Sequence, residues 1–280
     1  MGKYIRLLRL QDQYVEVSAA LMGGLVIHSQ SLLIIWWAIA AVLVSVPAYI
    51  FNEIIDHEDV DKYSWNTNHI RLQDRLDSRV VLLLFILFSV VGLFFSWRLG
   101  LFGWGLFIWV FGILYSFKPV RLKRRFVLDL AGQLFPFLII PFLAVVWGNA
   151  NTDLLVAFLI VISVSICSML IPYQLADYDA DKKAGFSNTH VVLGMAYSLE
   201  LGIGLAFIAI VFYFLFEMQR WALWLLPIII ILPTVIALYI RWIRMPTNSK
   251  KITDMQHWIR IYKPITQLMA VYLFIVWRFV

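Results

Sequence analysis

The sequence has few charged residues and almost no cysteine. Charged side chains make up 14% of its 280 residues, whereas soluble domains average about 25%. Cys167 is the single cysteine, which excludes an internal disulfide and a metal site built from several thiolates. The chain shows no glycine-rich phosphate loop, no zinc-type His and Cys spacing and no Ser, His and Asp arrangement. These absences argue against an ordinary soluble protein and against several common enzyme classes.

Long apolar blocks make up most of the chain instead. Hydrophobic residues account for 62% of the sequence, and they form segments near the roughly 20 residues that a membrane-spanning helix needs. Continuous apolar runs favour helices over the alternating strands of a membrane barrel. We therefore predict an all-α, polytopic membrane protein with nine spans and a single integral membrane domain over residues 1–280. The predicted spans are 14–31, 32–56, 79–97, 99–117, 126–147, 152–176, 191–217, 220–242 and 264–279.

Positive charge is divided unevenly between the two sides of this nine-span arrangement. Of the 23 Lys and Arg residues, all except Arg98, Arg220 and Arg278 lie at the N-terminus or in the loops after spans 2, 4, 6 and 8. Because basic loops stay in the cytoplasm, we predict that the N-terminus and these loops are cytoplasmic and that the C-terminus is outside. The net charge of +6 follows from this topology, with a contribution from anionic lipid or substrate left open, and needs no nucleic-acid partner.

An acidic cluster follows span 2, in the segment FNEIIDHEDVDKYSWNTNHIR at residues 51–71. Asn52, Asp56 and Asp59 are spaced i, i+4 and i+7, which keeps them within about 40° of one another on one helical face. Asp61 points away from that face if the helix continues. Carboxylates near hydrocarbon are costly and are kept mainly where they are paired or used, so the cluster is a candidate functional site.

A second acidic cluster, YQLADYDADKKAGFSNTHVVLG at residues 173–194, follows span 6 on the same predicted side of the membrane. Gln174, Asp177 and Asp181 are spaced i, i+3 and i+7 and share a helical face, whereas Asp179 faces elsewhere. Mg²⁺ is usually held by one or two carboxylates, with substrate phosphates and waters completing its octahedron. Two such triads predict a diphosphate bound between magnesium ions. The predicted metal-binding and catalytic residues are Asn52, Asp56, Asp59, Asp177 and Asp181.

Basic residues flank both acidic clusters and would neutralise the remaining charge of a diphosphate. The segment KPVRLKRR at residues 118–125 follows span 4, and two lysines follow the second cluster directly. The alternative is that all these charges are solvated loop groups paired with one another, and this alternative is favoured for Asp61 and Asp179. The residues predicted on the diphosphate side are Lys118, Arg121, Lys123, Lys182, Arg71 and Gln174.

Three segments together resemble the UbiA-type intramembrane prenyltransferases. DYDADKKAGFSNTHVVLG is similar to the family's second aspartate motif, DxxxD followed by basic residues, a glycine and a V-x-x-G ending. NEIIDHEDVD resembles the first motif, N-D-x-x-D-x-x-x-D, and YSFKPVRLKRR resembles the tyrosine, proline and basic segment after the fourth helix. The resemblance covers nearly the whole chain. It implies a nine-helix bundle whose central cavity opens laterally to lipid.

The resemblance also implies a reaction. Mg²⁺ and both aspartate motifs would bind a polyprenyl diphosphate, and loss of diphosphate would leave an allylic cation that alkylates a lipophilic acceptor, often an aromatic ring or quinone precursor. Asn52 and Asp56 match the first motif, and Asp177 and Asp181 match the second. The implied partners are therefore a prenyl diphosphate, a lipophilic acceptor and the lipid bilayer.

The chain departs from the family pattern in its first motif. Glu53 replaces an aspartate, and Val60 stands where the final aspartate is expected. Either Asp59 or Asp61 completes the motif; the helical-face argument favours Asp59, and a one-residue bulge would bring in Asp61. The segment NTNHI lacks an arginine that is common in the family, and Arg71 is a candidate replacement.

Other ionisable residues receive weaker assignments. His57 and His69 lie beside the first motif and are candidates for contact with phosphate, and His69 is a second candidate replacement for the missing arginine. His190 is assigned to the membrane interface. Asp129, near the start of span 5, is equally consistent with a functional role and with a helix-end position or a tertiary partner.

Three alternatives to prenyl transfer stay open from the sequence. A membrane-embedded terpene cyclase on the same scaffold would close the allylic cation on itself and use no acceptor. A cation-coupled transporter would bind ions at the bilayer midplane, which fits poorly with carboxylates at span ends on one side. A catalytically dead scaffold would not need Asp56, Asp177 and Asp181 intact. Acceptor, prenyl chain length and oligomeric state do not follow from the sequence.

Overall fold

The computed structural model describes residues 4, 7–9, 13–27, 32–59, 77–147 and 177–215, together with residues 159–160, 163–164, 166–167, 170–171 and 174–175. Within these ranges all regular secondary structure is helical, and one isolated parallel bridge joins Arg125 and Ser187. The predicted all-α class is confirmed for the described residues. Predicted spans 8 and 9 lie outside them, so the count of nine helices stays a prediction.

Seven helices are described, numbered here in chain order. A π-helical turn, Phe135–Ile139, interrupts α5, where Pro136 and Pro141 remove backbone donors. A 3₁₀ turn, Leu122–Arg124, precedes α5, and α7 has non-helical dihedral angles at Gly194. The helices are α1 (Tyr14–Val26), α2 (Leu32–Asp59), α3 (Ser78–Arg98), α4 (Phe102–Ser116), α5 (Leu128–Val146), α6 (Tyr178–Lys183) and α7 (Thr189–Leu215).

Three of the described helices are long and apolar enough to cross a membrane: Leu32–Ile55, Ser78–Arg98 and Leu128–Val146. Only 17% of the apolar window in Ser78–Arg98 is buried inside the protein, against 61% in each of the other two. A helix that is apolar on every side and mostly uncovered by protein needs lipid around it. The structure therefore agrees with the predicted integral membrane protein.

Small residues let the helices around α2 approach closely. On α3, a Cβ added to Gly92 would lie 2.8 Å from the backbone carbon of Leu43 and the backbone nitrogen of Val44. On α4, a Cβ added to Gly112 would lie 2.6 Å from Cβ of Ala48. Close backbone approach at small residues is how membrane helices gain packing energy where lipid is as apolar as leucine. α2 is thus the central helix against which α3 and α4 pack.

We expect Gly92→Ala to destabilise the protein by about 1–3 kcal/mol, because the new methyl group overpacks a contact with backbone atoms that cannot rotate away. Gly103→Ala on α4 is the matched control, since nothing lies within 4 Å of a Cβ at that position. There alanine should leave stability unchanged or raise it slightly, by up to about 1 kcal/mol. Thermal unfolding in detergent measures both variants, and equal midpoints would contradict the prediction.

The described chain divides into two compact units. One comprises Met1–Ala150 and Asp179–Val192, and the other comprises Asn151–Tyr178 and Leu193–Val280. This division does not test the predicted single domain over 1–280, which stays a prediction. The first unit contains the first motif, the basic segment and Asp181, whereas Gln174 and Asp177 belong to the second unit.

Candidate functional site

The first motif lies at the end of α2, which continues as one helix through Asp59. Oδ1 of Asn52 accepts hydrogen bonds from Oγ of Ser116 at 2.5 Å and from Nζ of Lys123 at 2.9 Å. A carboxamide oxygen has two lone pairs, and both are used here. Asn52 therefore holds the lysine in place, and its role as a metal ligand stays a prediction. The side chain of Asp56 lies outside the described residues, as does that of Asp59.

The basic segment after α4 has an unusual backbone. Arg121 has a φ of +46° and Val127 a φ of +64°, a left-handed region that is strained for residues other than glycine and most of all for a β-branched one. Between them, Lys123 is only 6% exposed. Strained backbone persists only where the surrounding structure fixes it. We therefore attribute the positive φ angles of this segment to the contacts that it makes with the rest of the protein.

Arg124 joins the basic segment to the loop between α6 and α7. Its Nη2 donates to the carbonyl oxygen of Ala184 at 3.2 Å, and its guanidinium lies 4.2 Å from the ring centroid of Phe186. In return, the backbone N–H of Ser187 donates to the carbonyl oxygen of Arg124 at 3.0 Å. A cation over an aromatic ring adds to these hydrogen bonds. The basic segment and the second motif's loop are therefore held together directly.

Thr189 and Asp129 form a second clamp between the same segments. Oγ1 of Thr189 accepts from the N–H of the strained Val127 at 2.9 Å and donates to Oδ1 of Asp129 at 2.5 Å. The N–H of Thr189 donates to Oδ2 of Asp129 at 3.0 Å. Asp129 is only 1% exposed, and burying it is tolerable because both of its oxygens accept hydrogen bonds. The structure thus gives Asp129, which the sequence left open, a tertiary partner.

Asp181 lies on α6 and is held by two residues at the start of α7. Its Oδ2 accepts from Nδ2 of Asn188 at 2.7 Å and from Nε2 of His190 at 2.9 Å. The tautomer of His190 with its proton on Nε2 is the one that donates in this contact, because Oδ2 is an acceptor. The sequence places His190 at the membrane interface, whereas the structure buries it against Asp181, with 2% exposure. No helical spacing links these residues, because a loop with Gly185 at a φ of +73° separates them.

Gln174 and Asp177 are described within the second unit. The N–H of Asp177 donates to the carbonyl oxygen of Gln174 at 3.0 Å, and Asp177 lies in a turn directly before α6. The one-face argument for Gln174, Asp177 and Asp181 assumed a continuous helix, and the turn interrupts it. Asp177 is exposed, whereas Gln174 is 8% exposed, and its Oε1 accepts no hydrogen bond from the described residues.

The other residues predicted on the diphosphate side differ in exposure, and some of them lie outside the described residues. Lys118 and Lys182 are exposed. Arg121, two residues before Lys123 in the sequence, is buried. Arg71 and Asp61 lie outside the described residues. Among the side chains that the structure describes, no group of three or more His, Cys, Asp or Glu residues could hold a metal ion. The aspartates of the first motif are not among these side chains.

The profile of the UbiA prenyltransferase family matches residues 16–260. The fold is similar to that of a UbiA homolog from Archaeoglobus fulgidus bound to GPP and Mg²⁺, with a TM-score of 0.67, 21% identity, and 97% of this chain and 99% of that chain covered. The corresponding structure bound to DMAPP and Mg²⁺ gives a TM-score of 0.68 at 20% identity, covering 98% and 99%. At such identities the likeness shows the fold alone. No curated protein sequence matches significantly.

A structure of digeranylgeranylglyceryl phosphate synthase in membranes is also similar in fold. Its TM-score is 0.59 at 17% identity, and the alignment covers 97% of each chain. The similarity extends over almost the full length of this protein in every one of these comparisons.

Proposed function

The chain belongs to the UbiA prenyltransferase family, and we propose that it moves a prenyl group from a prenyl diphosphate to a lipophilic acceptor inside the membrane with the help of Mg²⁺. The observation that carries the proposal is one connected arrangement. Asn52 of the first motif holds Lys123, and the next residue, Arg124, is bonded to the loop that follows Asp181. Asn52 of the first motif, the basic segment and the loop after Asp181 are thus joined by hydrogen bonds.

The described donors suit a hard divalent cation. Asp181 supplies carboxylate oxygen, the ligand type that Mg²⁺ prefers, and its Oδ1 accepts no hydrogen bond from the described residues. The similar structures from Archaeoglobus fulgidus contain Mg²⁺ together with GPP or DMAPP. We propose Asn52, Asp56, Asp59, Asp177 and Asp181 as the residues that hold the metal; to bind it, Oδ1 of Asn52 would exchange one of its two donors, Ser116 or Lys123, for the cation. When bound, Mg²⁺ would offset the negative charge that builds up on the departing diphosphate.

The chain's own residues would perform three tasks. The buried ammonium of Lys123, fixed by Asn52, would neutralise diphosphate charge in surroundings of low dielectric, where such contacts are strong. Lys118, Arg121, Lys182, Arg71 and Gln174 are proposed on the same side. The apolar helices would exclude water, which would otherwise capture the allylic cation before the acceptor does. Aromatic side chains near the cation would stabilise it through their ring faces.

The finer features of the proposal follow the family. We propose nine spans around a central cavity, a cytoplasmic N-terminus and a site on the cytoplasmic side, in accord with the distribution of Lys and Arg. The acceptor is proposed to be an aromatic or quinone-precursor lipid. The apolar exterior of α3 supports the lateral contact with lipid through which such an acceptor would enter.

The experiment that tests the proposal measures diphosphate release by the purified protein from geranylgeranyl diphosphate. We expect release that needs both Mg²⁺ and a lipid extract, stops with EDTA and returns when excess Mg²⁺ is added. Mass spectrometry of the extract would then identify the prenylated acceptor. Release without extract would indicate a cyclase or hydrolysis instead. No release with shorter, equal and longer prenyl diphosphates would contradict the proposed function.

A further inference from the structure

We propose that His190 and Asn188 are positioning residues that orient the Asp181 carboxylate so that only its Oδ1 binds the magnesium ion. This inference rests on the proposed function and deepens it. Both side chains are almost fully buried, with exposures of 2% for His190 and 3% for Asn188. Both lie within the segment that resembles the second aspartate motif, but neither is among the residues predicted from the sequence to form the site.

The two carboxylate oxygens of Asp181 have different contacts. Oδ2 accepts two hydrogen bonds, at 2.7 Å from Asn188 and at 2.9 Å from His190. No described residue donates to Oδ1. Two donors fill the in-plane lone pairs of Oδ2, so a cation that approached this oxygen would have to displace a buried donor. The carboxylate is therefore arranged to offer a single oxygen.

The amide orientation of Asn188 is fixed by a second contact. Its Oδ1 accepts from the N–H of Val191 at 3.3 Å, in the manner of a residue that caps the start of a helix. Turning the amide over would place oxygen against the carboxylate of Asp181 and nitrogen against an N–H group, and both hydrogen bonds would be lost. Helix α7 therefore dictates that the NH₂ group of Asn188 faces Asp181.

The two donors flank a residue that is itself immobilised. Thr189, between them in the sequence, bonds Asp129 through both its N–H and its hydroxyl group. That clamp fixes the backbone from which Asn188 and His190 extend. Partners that hold a ligating side chain in place typically contribute about 10- to 100-fold to metal affinity, because the carboxylate then loses less freedom on binding. The start of α7 would supply that contribution here.

The test measures how His190 substitutions change Mn²⁺ binding in the unsubstituted protein and in the Asp181→Asn variant. Inorganic diphosphate is the phosphate ligand, and EPR measures the concentration of free Mn²⁺. His190→Leu should raise the apparent Kd for Mn²⁺ about tenfold, and His190→Gln, which retains an N–H donor, should stay within about threefold of the unsubstituted protein. In an Asp181→Asn background, His190→Leu should add less than about twofold, because coupled residues give non-additive effects. Kinetic measurements should show the same shift in the Mg²⁺ concentration required for half-maximal diphosphate release.

A second variant keeps the test decisive if His190→Leu does not fold. Asn188→Ser retains a side-chain oxygen that caps α7, but its hydroxyl lies one bond nearer the backbone than the NH₂ group of Asn188 and is withdrawn from Oδ2 of Asp181, so it should also raise the Kd for Mn²⁺ about tenfold. Equal effects of His190→Leu in the two backgrounds would overturn the inference, as would an unchanged Kd accompanied only by a lower Tm. If the unsubstituted protein itself binds no Mn²⁺ with diphosphate, the proposed function fails as well.

Discussion

Asp181→Asn is expected to slow diphosphate release by about 10²–10³-fold. The substitution keeps the shape of the side chain and an oxygen for the donors of Asn188 and His190, but it removes the negative charge that would hold Mg²⁺. The charge stabilisation that a bound metal provides in a transition state is worth several kcal/mol, and each 1.36 kcal/mol, roughly, changes the rate tenfold. Initial rates at saturating prenyl diphosphate, measured across a range of Mg²⁺ concentrations, give the effect directly.

Asp179→Asn is the matched control for this experiment. Asp179 lies on the same short helix, α6, and the substitution removes the same charge, but the residue is outside the proposed site. Its rate should stay near that of the unsubstituted protein. Equal losses in the two variants would mean that the rate depends on the total charge of α6 and not on Asp181. A Tm measurement on both variants shows whether a lower rate comes from partial unfolding.

Helix positions were largely predictable because bilayer thickness fixes the length of an apolar span. The predicted spans 32–56, 79–97 and 126–147 correspond to Leu32–Asp59, Ser78–Arg98 and Leu128–Val146, with differences of only a few residues. Continuous apolar runs separated by charged loops carry this information locally. Nothing in that pattern locates a side-chain contact between two loops.

The features of the site that the sequence predicts are those that depend on the spacing of residues along one helix. The i, i+4 and i+7 positions of the first motif require a continuous helix, and α2 is continuous through Asp59. The same argument did not anticipate the turn at Asp177, since an apolar span gives no signal for where its helix stops. The helical-face argument therefore depends on a continuous helix, which α2 provides, and the shared face of Asn52, Asp56 and Asp59 stays a prediction.

The contacts that organise the site join residues far apart in the sequence. Lys123 meets Asn52 across 71 positions, and Thr189 meets Asp129 across 60. No periodicity encodes such pairs; they depend on how α2, α5 and the loop before α7 pack. The basic residues were predicted on the diphosphate side from charge alone. That a buried lysine would be fixed by the first motif's own asparagine became visible only in three dimensions.

Lys123→Met is expected to lower kcat/KM for the prenyl diphosphate by about 10- to 100-fold. Methionine keeps the apolar stem of the lysine and removes its ammonium group, so the buried site loses a positive charge with little change in packing. Hydrogen bonds to charged groups contribute about 1.5–3 kcal/mol each, which corresponds to the expected factor. The measurement is the dependence of the initial rate on prenyl diphosphate concentration at saturating Mg²⁺.

Arg98→Met controls for the loss of one positive charge, because Arg98 lies exposed in the last turn of α3 and outside the proposed site. Its kcat/KM should match that of the unsubstituted protein. The Tm of Lys123→Met separates two roles for the lysine. If kcat/KM is unchanged and the Tm is lower, Lys123 only stabilises the position of Asn52, and the prediction is wrong. If kcat/KM falls and the Tm is unchanged, the ammonium group acts on the diphosphate, because the loss of a purely structural contact would lower the stability of the fold.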